Sequence, residues 1–201
     1  MRPTEILSSE HRVIEQVLDC LEAMAKAARD EGRLDVQRAA AALEIVRTFA
    51  DRCHHGKEED RLFPMLVARG MSTHIGPIAM MLDDHRVGRE HVRRMADAVA
   101  AGDAEGFAPA AFDYVGLLHD HIAKEDGVLF PMAESMLDEA ARETLLQSFK
   151  SFEHDDLGPG THERMLALAD ELARHYGVPL AAERSRDGVA AGFCGHGHPA
   201  H

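Results

Sequence analysis

HHGKEEDRLFPM, from His54 to Met65, returns later in the chain as HIAKEDGVLFPM, from His121 to Met132. Both copies place a histidine four residues before a glutamate, and both end on Leu-Phe-Pro-Met. The similarity extends backwards, because EHRV precedes the first copy and DHRV precedes the second. The chain therefore has two related halves, and each half has one His-bearing segment followed by one that carries His-x-x-x-Glu.

Apolar residues recur at spacings of three and four through most of the chain, which predicts helices, whereas the alternation typical of strands is absent. Pro64 should kink or restart the second of these helices. Four helices with short connections favour an all-α, up-down antiparallel four-helix bundle. The apolar stripes place the four helices at about Ser8 to Arg29, Leu43 to Leu62, Ile78 to Val99 and Tyr114 to Leu129.

The pattern changes twice after the second repeat, so we expect three regions. Residues 1–137 would form the four-helix bundle, and residues 138–177 would add two amphipathic helices that pack on it or contact a protein partner. Residues 178–201 end in GFCGHGHPAH and have the composition of a flexible tail. Gly-rich ends usually lack a fixed site, but metal binding stays open for the tail residues Cys194, His196, His198 and His201.

Composition and charge exclude several classes of function. Thirty-five acids against 22 bases give a formal charge of −13, which repels nucleic-acid phosphates and anionic lipids. No apolar run is long enough to span a membrane, and the first residues do not resemble a signal peptide, so we expect a cytoplasmic protein. Three scattered cysteines indicate neither a disulfide framework nor a cysteine zinc site.

The repeated histidines and glutamates indicate a metal site inside the bundle. Residues four apart share one helix face, so each His-x-x-x-Glu motif directs an imidazole and a carboxylate at one point. A buried carboxylate is costly unless it is neutralised or meets a cation. Imidazole and carboxylate donors without thiolate suit iron, manganese or zinc, and two carboxylates among four imidazoles favour a dinuclear centre. The candidate metal ligands are His11, His54, Glu58, His85, His121 and Glu125.

These motifs resemble the hemerythrin-like, or HHE cation-binding, domain family. The resemblance covers about Pro3 to Leu137 and rests on SSEHRVIEQ, CHHGKEEDRLFPM, DDHRVGRE and HIAKEDGVLFPM. It implies a four-helix bundle around a non-haem centre of two iron ions, bridged by oxide or hydroxide. By position it assigns the same six residues as ligands, with Glu58 and Glu125 as bridges. It also implies a protein that binds or reacts with dioxygen, nitric oxide or peroxide in stress response or sensing.

Two positions depart from the oxygen carriers of that family. Arg89 stands four residues after the third-helix histidine, where the carriers have a second histidine, so a reversible oxygen carrier is disfavoured. Asp126 matches an aspartate ligand of the carriers and competes with Glu125, but Glu125 aligns with Glu58 in the repeat. The pattern is more similar to the iron-sulfur cluster repair proteins of the wider family.

Several alternatives therefore stay open at this stage. The protein is either a gas- or peroxide-reactive di-iron protein, an iron-sulfur cluster repair protein or iron donor, or a non-catalytic metal or gas sensor. Manganese or zinc in place of iron stays open, as does whether the protein turns over a substrate. A sensor would use the two C-terminal helices to contact a partner.

Five further residues lie near the predicted ligands in the sequence. His55 and Glu59 form a second His-x-x-x-Glu pair, turned by about 100° around the helix, and are expected beside the ligands or on the surface. Glu15 would be an extra ligand, the partner of a basic group, or the acceptor that holds a ligand's outer nitrogen. Tyr114 is either a core residue or one whose hydroxyl approaches the metals. Gly88 either opens a pocket or allows close helix packing.

Overall fold

Helices make up most of residues 1–184, the part of the chain that the computed structural model describes. No β-strand occurs among these residues, which confirms the all-α prediction. In four places the helical path is π-helical: Val46–His55, Glu58–Leu62, Glu125–Leu129 and Glu153–Leu157. The α-helices are α1 (Pro3–Glu31), α2 (Val36–Ile45), α3 (Phe63–Val67), α4 (Pro77–Ala101), α5 (Ala104–Lys124), α6 (Phe130–Met136), α7 (Glu139–Phe152) and α8 (Thr161–Tyr176).

Four long helical rods form the predicted bundle. The first is α1, the second runs from α2 through its π-helical turns to α3, the third is α4, and the fourth runs from α5 to α6. Helix α5 packs along both α1 and α4, and α2 lies against α1 and α4. The first rod begins at Pro3, earlier than the apolar stripe indicated, because proline suits the first helical position.

Each copy of the repeat contains a π-helical turn that ends two residues before its proline. In a regular α-helix, the ring of Pro64 or Pro131 would clash with the carbonyl four residues earlier. The turns at Glu58–Leu62 and Glu125–Leu129 replace that geometry by bonding backbone groups five residues apart. The second rod therefore continues as a helix through its proline. Both π-helical turns begin at a predicted ligand, Glu58 in the first copy and Glu125 in the second.

The polar cluster lies between two apolar parts of the core. On α1, Leu7 belongs to one apolar cluster and Ile14 to the other, with His11 between them. The smaller cluster contains Leu62 and Leu129, from the two copies of Leu-Phe-Pro-Met, together with their phenylalanines. The repeated apolar motif therefore closes one end of the site.

The predicted C-terminal extension packs on the bundle. Leu145 and Phe149 of α7 join the apolar cluster that closes the site, and α8 lies against α1 and α2. Val178 and Leu180, at the start of the predicted tail, also pack against the core. Residues 185–201 lie outside the described residues, and so do the four tail residues proposed for metal binding.

Among residues 1–184, no helix has the length and apolar character needed to cross a membrane.

Candidate metal centre

The bundle interior brings together all six side chains that the sequence nominates. Each rod contributes: α1 and α4 give one histidine each, and the two rods that carry the repeat give a histidine and a glutamate each. All six are at most 2% exposed: His11, His54, Glu58, His85, His121 and Glu125. The stacking of positions four apart, predicted from the sequence, thus directs both pairs inward.

The donor atoms form two groups that share both carboxylates. Within each group, one donor atom from every residue lies within 4.8 Å of the others. Glu58 and Glu125 belong to both groups; the first adds the histidines of the first two rods, and the second adds those of the last two. Glu125 Oε2 lies 3.2 Å from Nε2 of both His11 and His121, so it faces one histidine of each group. The oxygens of Glu58 lie 3.7 and 3.5 Å from Nε2 of His54 and of the α4 histidine. Donor groups that share two carboxylates would suit two adjacent cations.

Unpartnered polar atoms concentrate at this place. Both oxygens of Glu58, Oε1 of Glu125 and Nε2 of three histidines, His55, His85 and His121, are buried without a hydrogen-bond partner in the described part of the chain. Buried polar groups normally have partners, because an unsatisfied one costs about 1–3 kcal/mol. These atoms are lone-pair donors from imidazole and carboxylate, so the residues present fit bound metal ions.

The electrostatics of the cluster also favour cations. Burial and the neighbouring Glu125 raise the pKa of Glu58 well above its usual range. Burial alone would raise the pKa of Glu125 too, but His121 and His11 lower it well below its usual value. Burial lowers the pKa of His54 to about 4, so its ring is neutral and keeps a lone pair for a metal. The raised pKa therefore favours the protonated form of Glu58 when no cation is bound, and metal binding would displace that proton.

A carboxylate holds each of the four cluster histidines by its outer ring nitrogen, Nδ1. The Nδ1 atoms donate to carboxylates from neighbouring rods, at distances of 2.6 to 3.4 Å, which turns every Nε2 inward. The pairs are His54 with Glu10, His121 with Asp84, His85 with Glu59 and His11 with Asp126. Asp126 is thus occupied by a histidine, whereas Glu125 lies in the cluster. Glu10 and Asp84 were not predicted in this role, although the sequence repeats an acid directly before both His11 and His85.

A cation balances each of these outer carboxylates. Four ion pairs form this layer: Lys57 with Glu10, Lys124 with Asp84, Arg12 with Asp126 and Arg89 with Glu59. The lysine that precedes the glutamate in both copies of the repeat therefore has a structural reason. Glu15 pairs with Arg12 at 2.9 Å, so it is the partner of a basic group and lies outside both donor groups.

His55 is buried beside the cluster and does not lie on the surface, one of the two places that the sequence left open. It is 4% exposed, and its ring stacks on His85 with centroids 3.8 Å apart and planes inclined by 17°. His55, His85 and His121 also form a third group whose donor atoms lie within 4.8 Å of one another.

A small cavity of about 20 Å³ borders the second donor group. Its lining includes His55, His85, Gly88 and Tyr114. A Cβ added at Gly88 would lie 3.6 Å from Tyr114 Cε2, an ordinary contact, so close packing does not require glycine there. The glycine therefore contributes open space beside the cluster. Burial raises the pKa of the Tyr114 hydroxyl, which stays protonated.

Comparison with known proteins matches most of the bundle to one family. The sequence profile of the hemerythrin HHE cation binding domain matches residues 2–133. Two curated relatives are uncharacterized protein Rv1995 of Mycobacterium tuberculosis and uncharacterized protein Mb2018 of Mycobacterium bovis. Each is 23% identical over 180 residues, which cover 87% of this chain and 70% of the relative. No solved structure matches the chain significantly.

Proposed function

The chain belongs to the hemerythrin HHE cation-binding domain family, and we propose that it is a non-haem di-iron protein that binds or reacts with dioxygen, nitric oxide or peroxide. Its role would be in oxidative or nitrosative stress. The observation that carries the proposal is the pair of donor groups that share Glu58 and Glu125. Both carboxylates would be shared between the two ions, and two histidines would hold each ion.

The donor count leaves room for a small ligand. Each group offers two imidazoles and a share of two carboxylates, fewer than the roughly six donors of an octahedral ion. When bound, iron supplies the redox and gas-binding chemistry that no side chain provides. The protein side chains orient the donors, and the flanking apolar clusters keep bulk water out.

The size of the adjacent space favours a molecule of two or three non-hydrogen atoms. A cavity needs about 10–15 Å³ to hold one water molecule, and the cavity bordered by Gly88 and Tyr114 measures about 20 Å³. An organic substrate would not fit there without rearrangement of the bundle core. Dioxygen, nitric oxide and peroxide are within this limit.

Optical spectroscopy tests the proposal. Reduced, iron-loaded protein would be exposed separately to dioxygen, nitric oxide and hydrogen peroxide, alongside Glu58→Ala and the exposed control Glu139→Ala. We expect new iron-dependent absorption with at least one of the three in the parent and control proteins, and none in Glu58→Ala. Iron-loaded parent protein whose spectrum responds to none of the three would contradict the proposal.

One contact favours a sensor as the second candidate function. Lys57 is fully buried and pairs with Glu10, which holds His54, and with Glu153 of the C-terminal extension, whose Oε1 lies 2.5 Å from Nζ. A change in His54 would therefore reach the extension through two ion pairs. This candidate predicts that metal loading or gas binding changes hydrogen exchange in residues 138–176, without catalytic turnover. Unchanged exchange there would contradict it.

A further inference from the structure

His55 breaks the symmetry of the two halves. The second copy of the repeat has Ile122 at the matching position, and both side chains are buried. An imidazole in a buried position needs partners for both ring nitrogens. His55 Nδ1 lies 3.4 Å from Asp51 Oδ1, but its Nε2 is buried without a partner among residues 1–184.

The unpartnered nitrogen belongs to a ring that lies against the second donor group. The ring stacks on His85 and meets His121 edge-on, with centroids 5.6 Å apart and planes inclined by 77°. A nitrogen from each of the three rings lies within 4.8 Å of the others. Three imidazoles therefore come together on one side of the cluster, and two of them, His55 and His85, line the cavity.

His55 also has the hydrogen-bonding pattern of the other four cluster histidines. Each of those donates from Nδ1 to a carboxylate and directs Nε2 inward. Asp51 has the same role for His55 and is itself held by Arg89 at 2.7 Å. An Nδ1–H that donates to a carboxylate leaves the lone pair on Nε2, the form in which histidine binds a metal.

We propose that His55 Nε2 is a third imidazole ligand of the metal ion held by His85 and His121. This inference rests on the proposed metal centre and deepens it, because the two ions become unequal. The ion beside the cavity has three imidazoles and a share of two carboxylates, which leaves about one of six positions open. The other ion has two imidazoles and the same shared carboxylates.

Histidine-selective ¹⁵N NMR of the full chain tests this assignment, with Zn²⁺ as a diamagnetic probe. The ring signals of His55 would be identified by their loss in His55→Gln. We expect the Nε2 signal of His55 to take the shift of a coordinated nitrogen on Zn²⁺ addition, together with those of the other four cluster histidines. If those four shift and His55 stays as in the metal-free protein, the inference is overturned while the metal centre stands. If none of the five shifts, both are overturned.

A variant with the residue of the second repeat at this position tests the assignment independently of the NMR experiment. His55→Ile places the side chain of Ile122 at this position and removes the unpartnered nitrogen, so we expect the metal-free protein to keep its Tm or gain stability. In chelator competition with Zn²⁺, the affinity for the ion held by His85 and His121 should fall at least tenfold, because removing only an orienting partner of a ligand typically costs about 10- to 100-fold. The exposed variant His154→Gln is the control. If His55→Ile binds each of the two ions as tightly as the parent protein does, the inference is overturned.

Discussion

Glu10 lies on α1, yet its carboxylate holds the ring of His54 on the neighbouring rod, with Glu10 Oε2 3.0 Å from His54 Nδ1. Asp84 on α4 has the same relation to His121 on α5, at 3.4 Å. In each half of the bundle, a carboxylate beside one cluster histidine thus orients the histidine of the next helix. The repeat therefore encodes both the inward donors and the hydrogen bonds that aim them.

Replacing Glu10 by glutamine should lower metal affinity by about 10- to 100-fold, because His54 loses its charged acceptor. Chelator competition measures the change. Asp84→Asn is the matched variant of the other half and should act in the same direction, with a smaller effect because its hydrogen bond is longer. Glu139→Gln, with a side chain 92% exposed, serves as the control. Parent-like affinity in both variants would contradict an orienting role.

The two repeated lysines should differ strongly in their contribution to stability. Lys57 is fully buried between Glu10 and Glu153, whereas the side chain of Lys124 is 34% exposed beside Asp84. Removing one partner of a buried ion pair costs about 3–5 kcal/mol, so Lys57→Met should reduce the free energy of unfolding by about that amount. Lys124→Met should cost less than about 1 kcal/mol. Urea unfolding of the metal-free proteins measures both, and equal losses would show that burial of Lys57 is not the decisive difference.

Gly56 allows the C-terminal extension to pack closely. A Cβ at this position would lie 2.6 Å from Phe152 Cζ, so Gly56→Ala should displace the ring and destabilise the protein by about 1–3 kcal/mol. Removing the ring with an added Phe152→Ala change should make the further loss from Gly56→Ala disappear. Gly116→Ala, a helical position with nothing within 4 Å, is the control and should be stabilising by up to about 1 kcal/mol. Thermal unfolding of the set measures these differences, and a neutral Gly56→Ala would rule out the tight contact.

Metal removal should destabilise the protein in a way that depends on the cluster. A ligand that binds only the folded state at about 100 times its Kd adds about 2.7 kcal/mol of stability, so chelation should lower the Tm. The Tm of Glu58→Ala should respond little to metal or chelator, because the variant lacks a shared carboxylate. Calorimetry with and without a chelator measures this response. An identical metal response in Glu58→Ala and the parent protein would contradict a shared role for Glu58.

The sequence predicts the bundle and the six cluster residues because both depend on local spacing. Positions four apart must share a helix face, and the repeat selects His54 over His55 by comparison with His121. The same comparison hides His55, since aligning two halves emphasises what they share and Ile122 occupies the matching position. Contacts between distant segments, such as Gly56 with Phe152, leave no periodic signal and need the folded chain. The outer carboxylates were visible as repeated acids, but only the fold shows which histidine each one holds.

Metal analysis of protein purified without added metal tests whether the six buried residues hold two iron ions. Iron, manganese and zinc would be measured in the parent chain, Glu58→Ala, Glu125→Ala and the exposed control Glu139→Ala. We expect about two irons per chain in the parent and control proteins and a sharp loss in both cluster variants. Retention of about two irons per chain by both Glu58→Ala and Glu125→Ala would contradict the account.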